Sequence, residues 1–274
     1  MSDPTTERPD HPGHTTPADR TASTGSTAST GEPAGRRGAA LVTGATSGLG
    51  YETARQLAAA GHQPVFVTGR TPERAAEAAT TLAQATGAAV FRPVALDLGD
   101  PAHVAAAAHA LAAAEEPLRT VVLNAGRVGG PTLERTAVDE EITFASSLTG
   151  HHRLTMALLA AGALAPSARL VIAGSEAARG DVPTFSPVEP AAVADQFDGD
   201  LVAAADALIR HRTPDRYKPG NVYATAKLFV AWWAAALARR LPAGMTVNAV
   251  SPGSAPDTAA VRHANFFMRH VMLP

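Results

Sequence analysis

Cysteine is absent from the 274 residues. That excludes a disulfide framework, thiolate metal ligands and a cysteine nucleophile, and it accords with a reducing compartment. An excess of one charge is lacking as well. The 23 Lys+Arg stand against 25 Asp+Glu for a net charge of −2, so no basic field invites a polyanion, and nucleic acid is not the expected partner. Long apolar runs are missing: no stretch approaches the ~18 uninterrupted apolar residues of a membrane span. Ten histidines are scattered along the chain without an HExxH or similar spacing, so no metal is expected. His151-His152, in a helical stretch, read as surface residues rather than ligands. Residues 1–37 hold no apolar core of the kind a secretory signal needs. Their Thr, Ser, Pro and Gly cannot bury enough apolar surface to offset the entropy of ordering, and the segment reads as a disordered tail. The expected location is the cytoplasm.

What is present begins at residue 38. The chain is 46% hydrophobic and 18% charged, enough to bury a large core over a domain spanning 38–274. Short β-branched runs alternate with alanine-rich stretches: AALVTGA (39–45), PVFVTGR (64–70), AAVFRPVALD (88–97), RTVVLNAG (119–126), ARLVIAGS (168–175) and MTVNAVSPG (245–253). Apolar runs of this length that end in small or polar residues are the mark of buried parallel strands. Their alternation with helices predicts an α/β fold, a doubly wound parallel sheet of about six strands. Thr71-Pro72-Glu73 and Asp100-Pro101 read as helix starts, and Gly61 and Gly87 as helix stops. Residues 176–222 break the rhythm and read as an insertion around one helical patch.

The first strand runs straight into TGATSGLG, Thr43 to Gly50, and then a helix. Glycines there allow a tight turn and close approach to a pyrophosphate at the helix N-terminus. Farther on, NVYATAK (221–227) sets Tyr223 and Lys227 one helical turn apart, on one face. An ammonium there favours the ionised phenol.

The Gly-x-x-x-Gly-x-Gly spacing, with NAG at 124–126, LDL at 96–98, YATAK at 223–227 and SPG at 251–253 in the expected order, resembles the short-chain dehydrogenase/reductase family from about residue 38 to about 258. The resemblance implies a Rossmann-type sheet. It also implies a dinucleotide site built from Gly44, Ser47, Gly48, Leu49, Gly50, Asp97, Leu98, Asn124, Ala125, Gly126, Tyr223, Lys227, Pro252 and Gly253. The second strand ends in TGR, with no acid for an adenosine ribose. Arg70 follows, and a guanidinium pairs well with a 2′-phosphate, so the implied cofactor is NADP(H). At the reacting end the resemblance makes Ser175 a hydrogen-bond donor to the substrate oxygen, Tyr223 the acid or base, and Lys227 the group that lowers the phenol's pKa and binds the ribose.

Two departures stand out. Forty-eight residues separate Ser175 from Tyr223, a spacing like that of carbonyl-reductase-like members, where an insertion can cover the dimerisation surface; a monomer or homodimer is expected. Where many members carry a catalytic Asn, alignment on Gly150 and Leu154-Thr155 puts Ser147, read either as a hydroxyl in the proton path or as an ordinary helix residue. After SPG the chain shows no seventh strand, whether short by nature or truncated. Trp232 and Trp233 follow Lys227 and point to different faces of the helix, ~100° apart; core for both is the leading expectation, with one core and one exposed contact as the alternative. The leading expectation is an NADP(H)-dependent oxidoreductase for a small-molecule substrate, a moderately large, apolar carbonyl compound or alcohol. A cofactor-binding redox sensor or catalytically weak paralogue, and an NADPH-dependent double-bond reductase, stand as alternatives.

Overall fold

The structure, a computed structural model, describes residues 37–114 and 116–253. The expected tail therefore lies outside the described residues except for Arg37, whose N–H donates to the Gly61 carbonyl at 3.0 Å. The C-terminal stretch beyond Gly253, and with it the question of a seventh strand, also lies outside.

Six strands form one parallel sheet: β1 (Ala39–Val42), β2 (Val65–Gly69), β3 (Phe91–Ala95), β4 (Leu118–Leu123), β5 (Leu164–Ala173) and β6 (Thr246–Val250), in the order β3-β2-β1-β4-β5-β6. Every pairing is parallel. Such a sheet must be covered on both faces, and the alternation of side chains along each strand shows how. In β2, Val65 and Val67 pack into one cluster with Ala54 of α1 (Gly48–Ala59) and Leu82 of α2 (Pro72–Thr86), while Phe66 joins the cluster on the opposite side. That second, larger cluster gathers residues of α3 (Pro101–Ala112), α5 (Gly150–Ala160) and α7 (Pro219–Ala238). Leu41, Leu82, Leu123, Leu158 and Ile172 are buried to within 1% of completely. Truncating one of them to Ala costs about 2–5 kcal/mol.

Local chemistry sets the helix boundaries. Thr71 caps α2 through Oγ1, and Asp100 caps α3 by accepting from two backbone N–H groups, each with proline in the first helical turn. Gly87 closes α2 with φ +68°, a left-handed conformation that glycine adopts without steric cost. The insertion consists of short 3₁₀ turns and one helix, α6 (Leu201–Ile209). The stretch 176–222 read as an insertion ends within the first turn of α7, which begins at Pro219, a proline that pre-sets that turn. The insertion is tied to the segment before α5: Glu141 N–H donates to the Ile209 carbonyl at 3.0 Å, and the Arg210 guanidinium donates to the Val138 carbonyl at 2.8 Å.

Candidate active site

Because all six strands run the same way, residues that follow each strand meet along one edge of the sheet. The glycine turn follows β1, Arg70 follows β2, Asp97 β3, Asn124–Gly126 β4, Ser175 β5 and Pro252–Gly253 β6. In sheets with this strand order, ligands bind outside the carboxyl ends of the strands, where the order reverses. Here the reversal falls between β1 and β4.

Thr43 organises that point from inside. Its hydroxyl accepts from the backbone N–H groups of Asn124 (2.9 Å) and Ala125 (3.0 Å). The Asn124 amide nitrogen donates back to the Thr43 carbonyl at 3.0 Å. Gly44 takes φ +68° and donates its N–H to Thr68 Oγ1 at 3.1 Å. Gly50 is required by crowding: a Cβ there would lie 2.2 Å from the Gly44 carbonyl oxygen and 2.5 Å from Asn124 Nδ2. The outer part of the turn is open, with Thr46, Ser47, Gly48 and Leu49 exposed. Ser47 makes no side-chain cap to α1, and no acid occupies the helix's first turn. A helix N-terminus with exposed N–H groups and no internal anion suits a phosphate group.

The second half of the site rests on α7. Tyr223 and Lys227 share a face, and Lys227 Nζ lies 5.6 Å from the centre of the Tyr223 ring. Phe185, from the insertion, packs its ring against Tyr223 at 5.9 Å between centres. Lys227 is buried and donates to the Ala173 carbonyl at the end of β5, at 2.7 Å. Burial pushes its pKa down to about 8. The Tyr223 phenol moves the opposite way: burial raises its pKa, while hydrogen bonding to the Ser175 side chain opposes the rise. Burial and the Ser175 hydrogen bond are thus the two influences on the phenol in the cofactor-free arrangement. The Lys227 ammonium sits over the ring and on a backbone carbonyl. Ser175 Oγ accepts from Ala177 N–H at 3.2 Å, which leaves the hydroxyl hydrogen free to donate.

Ser147 joins the same place from a third direction. It lies in a π-helical turn, Ala145–Thr149, between the short α4 (Ile142–Phe144) and α5. Single π-turns inside helices are frequent at functional sites. Ser147 is 1% exposed, and its Oγ has no hydrogen-bond partner. Gly126 marks the meeting point: a Cβ there would stand 3.0 Å from Ser147 Oγ and 3.8 Å from Lys227 Nζ. A buried hydroxyl without a partner and a buried amine that both face Gly126 make a polar set with unused capacity.

Other expected residues are placed less centrally. Arg70 is exposed at the start of α2. One Asp97 carboxylate oxygen is engaged by Gly99 N–H at 2.9 Å. Leu98 turns its side chain into the core, so any contact with a cofactor is left to its backbone. Pro252 and Gly253 are exposed beyond β6.

Two expectations are corrected. His151 is not a surface residue but fully buried, 2.9 Å from Thr43 Oγ1 through Nε2; only His152 is exposed. Adjacent helical residues point ~100° apart, so the pair cannot share a face. The signal that marks His151 is its place one turn after Ser147. Trp232 is 42% exposed, and only Trp233 packs against the core. Among the described residues, no group of three or more His, Asp or Glu side chains is arranged to hold a metal, and no helix is long and apolar enough to cross a membrane.

The sheet order, the glycine turn and the paired Asn124–Thr43 corner define a Rossmann-type dinucleotide-binding fold. The profile of the short chain dehydrogenase family matches residues 38–187, and the chain belongs to that family. Among curated relatives, a probable oxidoreductase of Streptomyces antibioticus is 37% identical over 80% of this chain and 64% of its own length. Polyprenol dehydrogenase of Mus musculus is 34% identical over 84% of this chain and 63% of its own. The chain thus spans just under two thirds of these relatives. Of solved structures, a single-substitution variant of actinorhodin polyketide ketoreductase with NADPH matches with a TM-score of 0.56 at 27% identity, over 78% of this chain and 69% of that one. A short chain dehydrogenase from Burkholderia cenocepacia J2315 in complex with NADP matches with a TM-score of 0.55 at 29% identity, over 78% and 73%.

Proposed function

We propose that the protein is an NADP(H)-dependent oxidoreductase that interconverts a carbonyl compound and an alcohol by hydride transfer. The observation that carries this reading is the grouping of Ser175, Tyr223 and Lys227 at the carboxyl edge of the sheet, beside the end of β5. The Tyr223 phenol hydrogen-bonds with the Ser175 side chain there, and Lys227 lies 5.6 Å from the Tyr223 ring. The open N-terminus of α1 suits the dinucleotide phosphates, and Arg70 suits a 2′-phosphate. The unpartnered Ser147 Oγ and the Lys227 amine provide polar partners for a ribose. When bound, NADP(H) supplies the hydride donor or acceptor.

The chain's own part is position and proton movement. Ser175, its Oγ already accepting from Ala177 N–H, donates to the substrate oxygen. Tyr223 Oη gives its proton to that oxygen in reduction and takes it back in oxidation. Phe185 beside the Tyr223 ring supplies an apolar wall, which agrees with a rather apolar ketone, aldehyde or alcohol. The likeness to a polyprenol dehydrogenase points the same way.

A second reading has one observation behind it. Burial raises the Tyr223 pKa, which slows proton exchange near neutral pH, so a dinucleotide-binding protein with little turnover is the alternative. Tyr223→Phe tests the first reading, with NADPH oxidation followed over a panel of carbonyl compounds. The expected result is a loss of ~10²-fold or more in kcat, the scale of general acid catalysis, with NADPH still bound. Activity that survives within severalfold would refute Tyr223 as the proton donor. A wild-type chain that binds NADPH tightly yet turns over no compound would favour the second reading.

A further inference from the structure

His151 is the buried imidazole that the proposed chemistry does not use. It is fully buried in α5, on the larger core cluster's side of the sheet. Both ring nitrogens have partners: Nε2 lies 2.9 Å from Thr43 Oγ1, and Nδ1 lies 3.3 Å from the Ser147 carbonyl oxygen. Proton counting assigns the roles. The Thr43 hydroxyl already accepts two backbone N–H groups, from Asn124 and Ala125, which fills its two lone pairs. Its single hydrogen must go outward. Two acceptors are in reach, the His151 ring at 2.9 Å and the Val122 carbonyl at 3.4 Å, and the shorter contact takes it. Nε2 is then the acceptor, so Nδ1 carries the proton and donates to the Ser147 carbonyl. A neutral ring is required for this, and burial pushes the His151 pKa down to about 3, with the Lys227 charge acting in the same direction.

The chain Asn124/Ala125 N–H to Thr43 Oγ1 to His151 to Ser147 C=O therefore has one direction of donation from end to end. It joins the corner beside the glycine turn to the π-helical turn that carries the unpartnered Ser147 hydroxyl. We propose that His151 is a positioning residue, which through Thr43 holds the β1–β4 corner in register for the dinucleotide and through the Ser147 carbonyl holds the π-helical turn that presents the Ser147 hydroxyl toward Gly126. The proposal rests on the oxidoreductase reading above.

Two isosteric substitutions divide the chain at its middle. In His151→Gln the amide oxygen reaches the Nε2 position and can still accept from Thr43, but nothing donates to Ser147. In His151→Asn the amide nitrogen occupies the Nδ1 position and still donates to Ser147, but does not reach Thr43. NADPH dissociation constants from fluorescence titration, kcat at saturating NADPH, and thermal stability are measured for both variants beside the wild type. The expected pattern is a split. His151→Asn weakens NADPH binding about tenfold, the scale of one buried hydrogen bond, and keeps kcat within about threefold. His151→Gln keeps the dissociation constant within about threefold and lowers kcat about tenfold on the same scale. Histidine ¹⁵N NMR of the wild type, which needs neither variant to fold, is expected to show His151 as the neutral Nδ1–H tautomer with and without NADPH.

An Nε2–H tautomer would overturn the proposal. So would variants that leave both parameters unchanged, or that lower both in proportion to lost stability, while the wild type binds NADPH and turns over. A wild-type chain that binds no NADPH would overturn the functional reading itself and the proposal with it.

Discussion

Lys227→Met replaces the buried amine by an apolar chain of similar length, and its most informative effect is on stability as a function of pH. Burial lowers the Lys227 pKa from 10.5 to about 8 in the folded protein. In the unfolded chain the amine titrates near 10.5. Between these two values the unfolded chain holds a proton that the folded chain has released, so stability rises with pH across the window. The fall from 10.5 to about 8 amounts to about 3 kcal/mol at ~1.4 kcal/mol per pH unit. Below pH 8 the wild type bears the full cost of a buried ammonium; above pH 10.5 it bears none. The variant has no such group. Constant differences, including the lost hydrogen bond to the Ala173 carbonyl, cancel when the gap between the two proteins is followed against pH. Urea unfolding of the cofactor-free proteins at pH 7, 8, 9, 10 and 10.5 measures that gap. Wild-type stability relative to the variant should climb by about 3 kcal/mol from pH 7 to 10.5. A gap that stays flat, or that moves the other way, would refute the assignment of Lys227 as a desolvated amine.

Further outcomes follow from the same geometry. Arg70→Ala should reduce the preference for NADPH over NADH by about tenfold or more, the scale of a charge-assisted phosphate contact, with NADH affinity unchanged; steady-state titration with both cofactors checks it, and an unaltered preference would remove Arg70 as the phosphate reader. Gly50→Ala would set a methyl 2.2 Å from the Gly44 carbonyl oxygen. The main chain must move to relieve that contact, at a cost of about 1–3 kcal/mol, so a lowered melting temperature together with lost NADPH binding is expected. A variant with wild-type affinity would show that the turn yields without harm.

Much of this arrangement was legible in the residues. β-Branched runs ended in small residues where the strands end, because a strand buried on both faces needs the first and a ligand-facing edge needs the second. Thr71, Asp100 and Gly87 marked helix ends because capping is local chemistry, settled within a few residues of chain. The burial of His151 was legible only through its place one turn after Ser147. Whether a helical histidine faces water or the core depends on which face the helix buries, and in GHHRLT that choice turned on a single position. Ser147 stands out in the sequence by its place in the motif, but its burial and missing partner come from the π-helical turn, which has no sequence signature. Trp232 fell outside the core for the reason that saved Trp233: only one of two adjacent helical residues can face the sheet.

The Tyr223–Lys227 pair shows the limit most clearly. A spacing of four puts two side chains on one face, and the ordinary inference is that the ammonium stabilises the phenolate. Spacing does not say which atom the ammonium meets. Here it meets the Ala173 carbonyl, at 2.7 Å, and the face of the ring. Burial then pushes Tyr223 up and both Lys227 and His151 down, so each of the three is driven toward its neutral form. The interior that holds the site selects against charge of either sign. In reduction the phenol would act from its neutral form, which burial favours, so activity should fall as pH rises through the Tyr223 pKa, and that midpoint should report both the position of the amine and the burial of the ring. If the protein reduces carbonyl compounds as proposed, the pH at which that activity is half-maximal should shift with Ser147→Ala, at a side chain that faces Gly126 together with the amine, while Phe185→Leu against the Tyr223 ring leaves that midpoint in place. A midpoint that ignores Ser147 and follows Phe185 would mean that burial of the ring alone governs the proton.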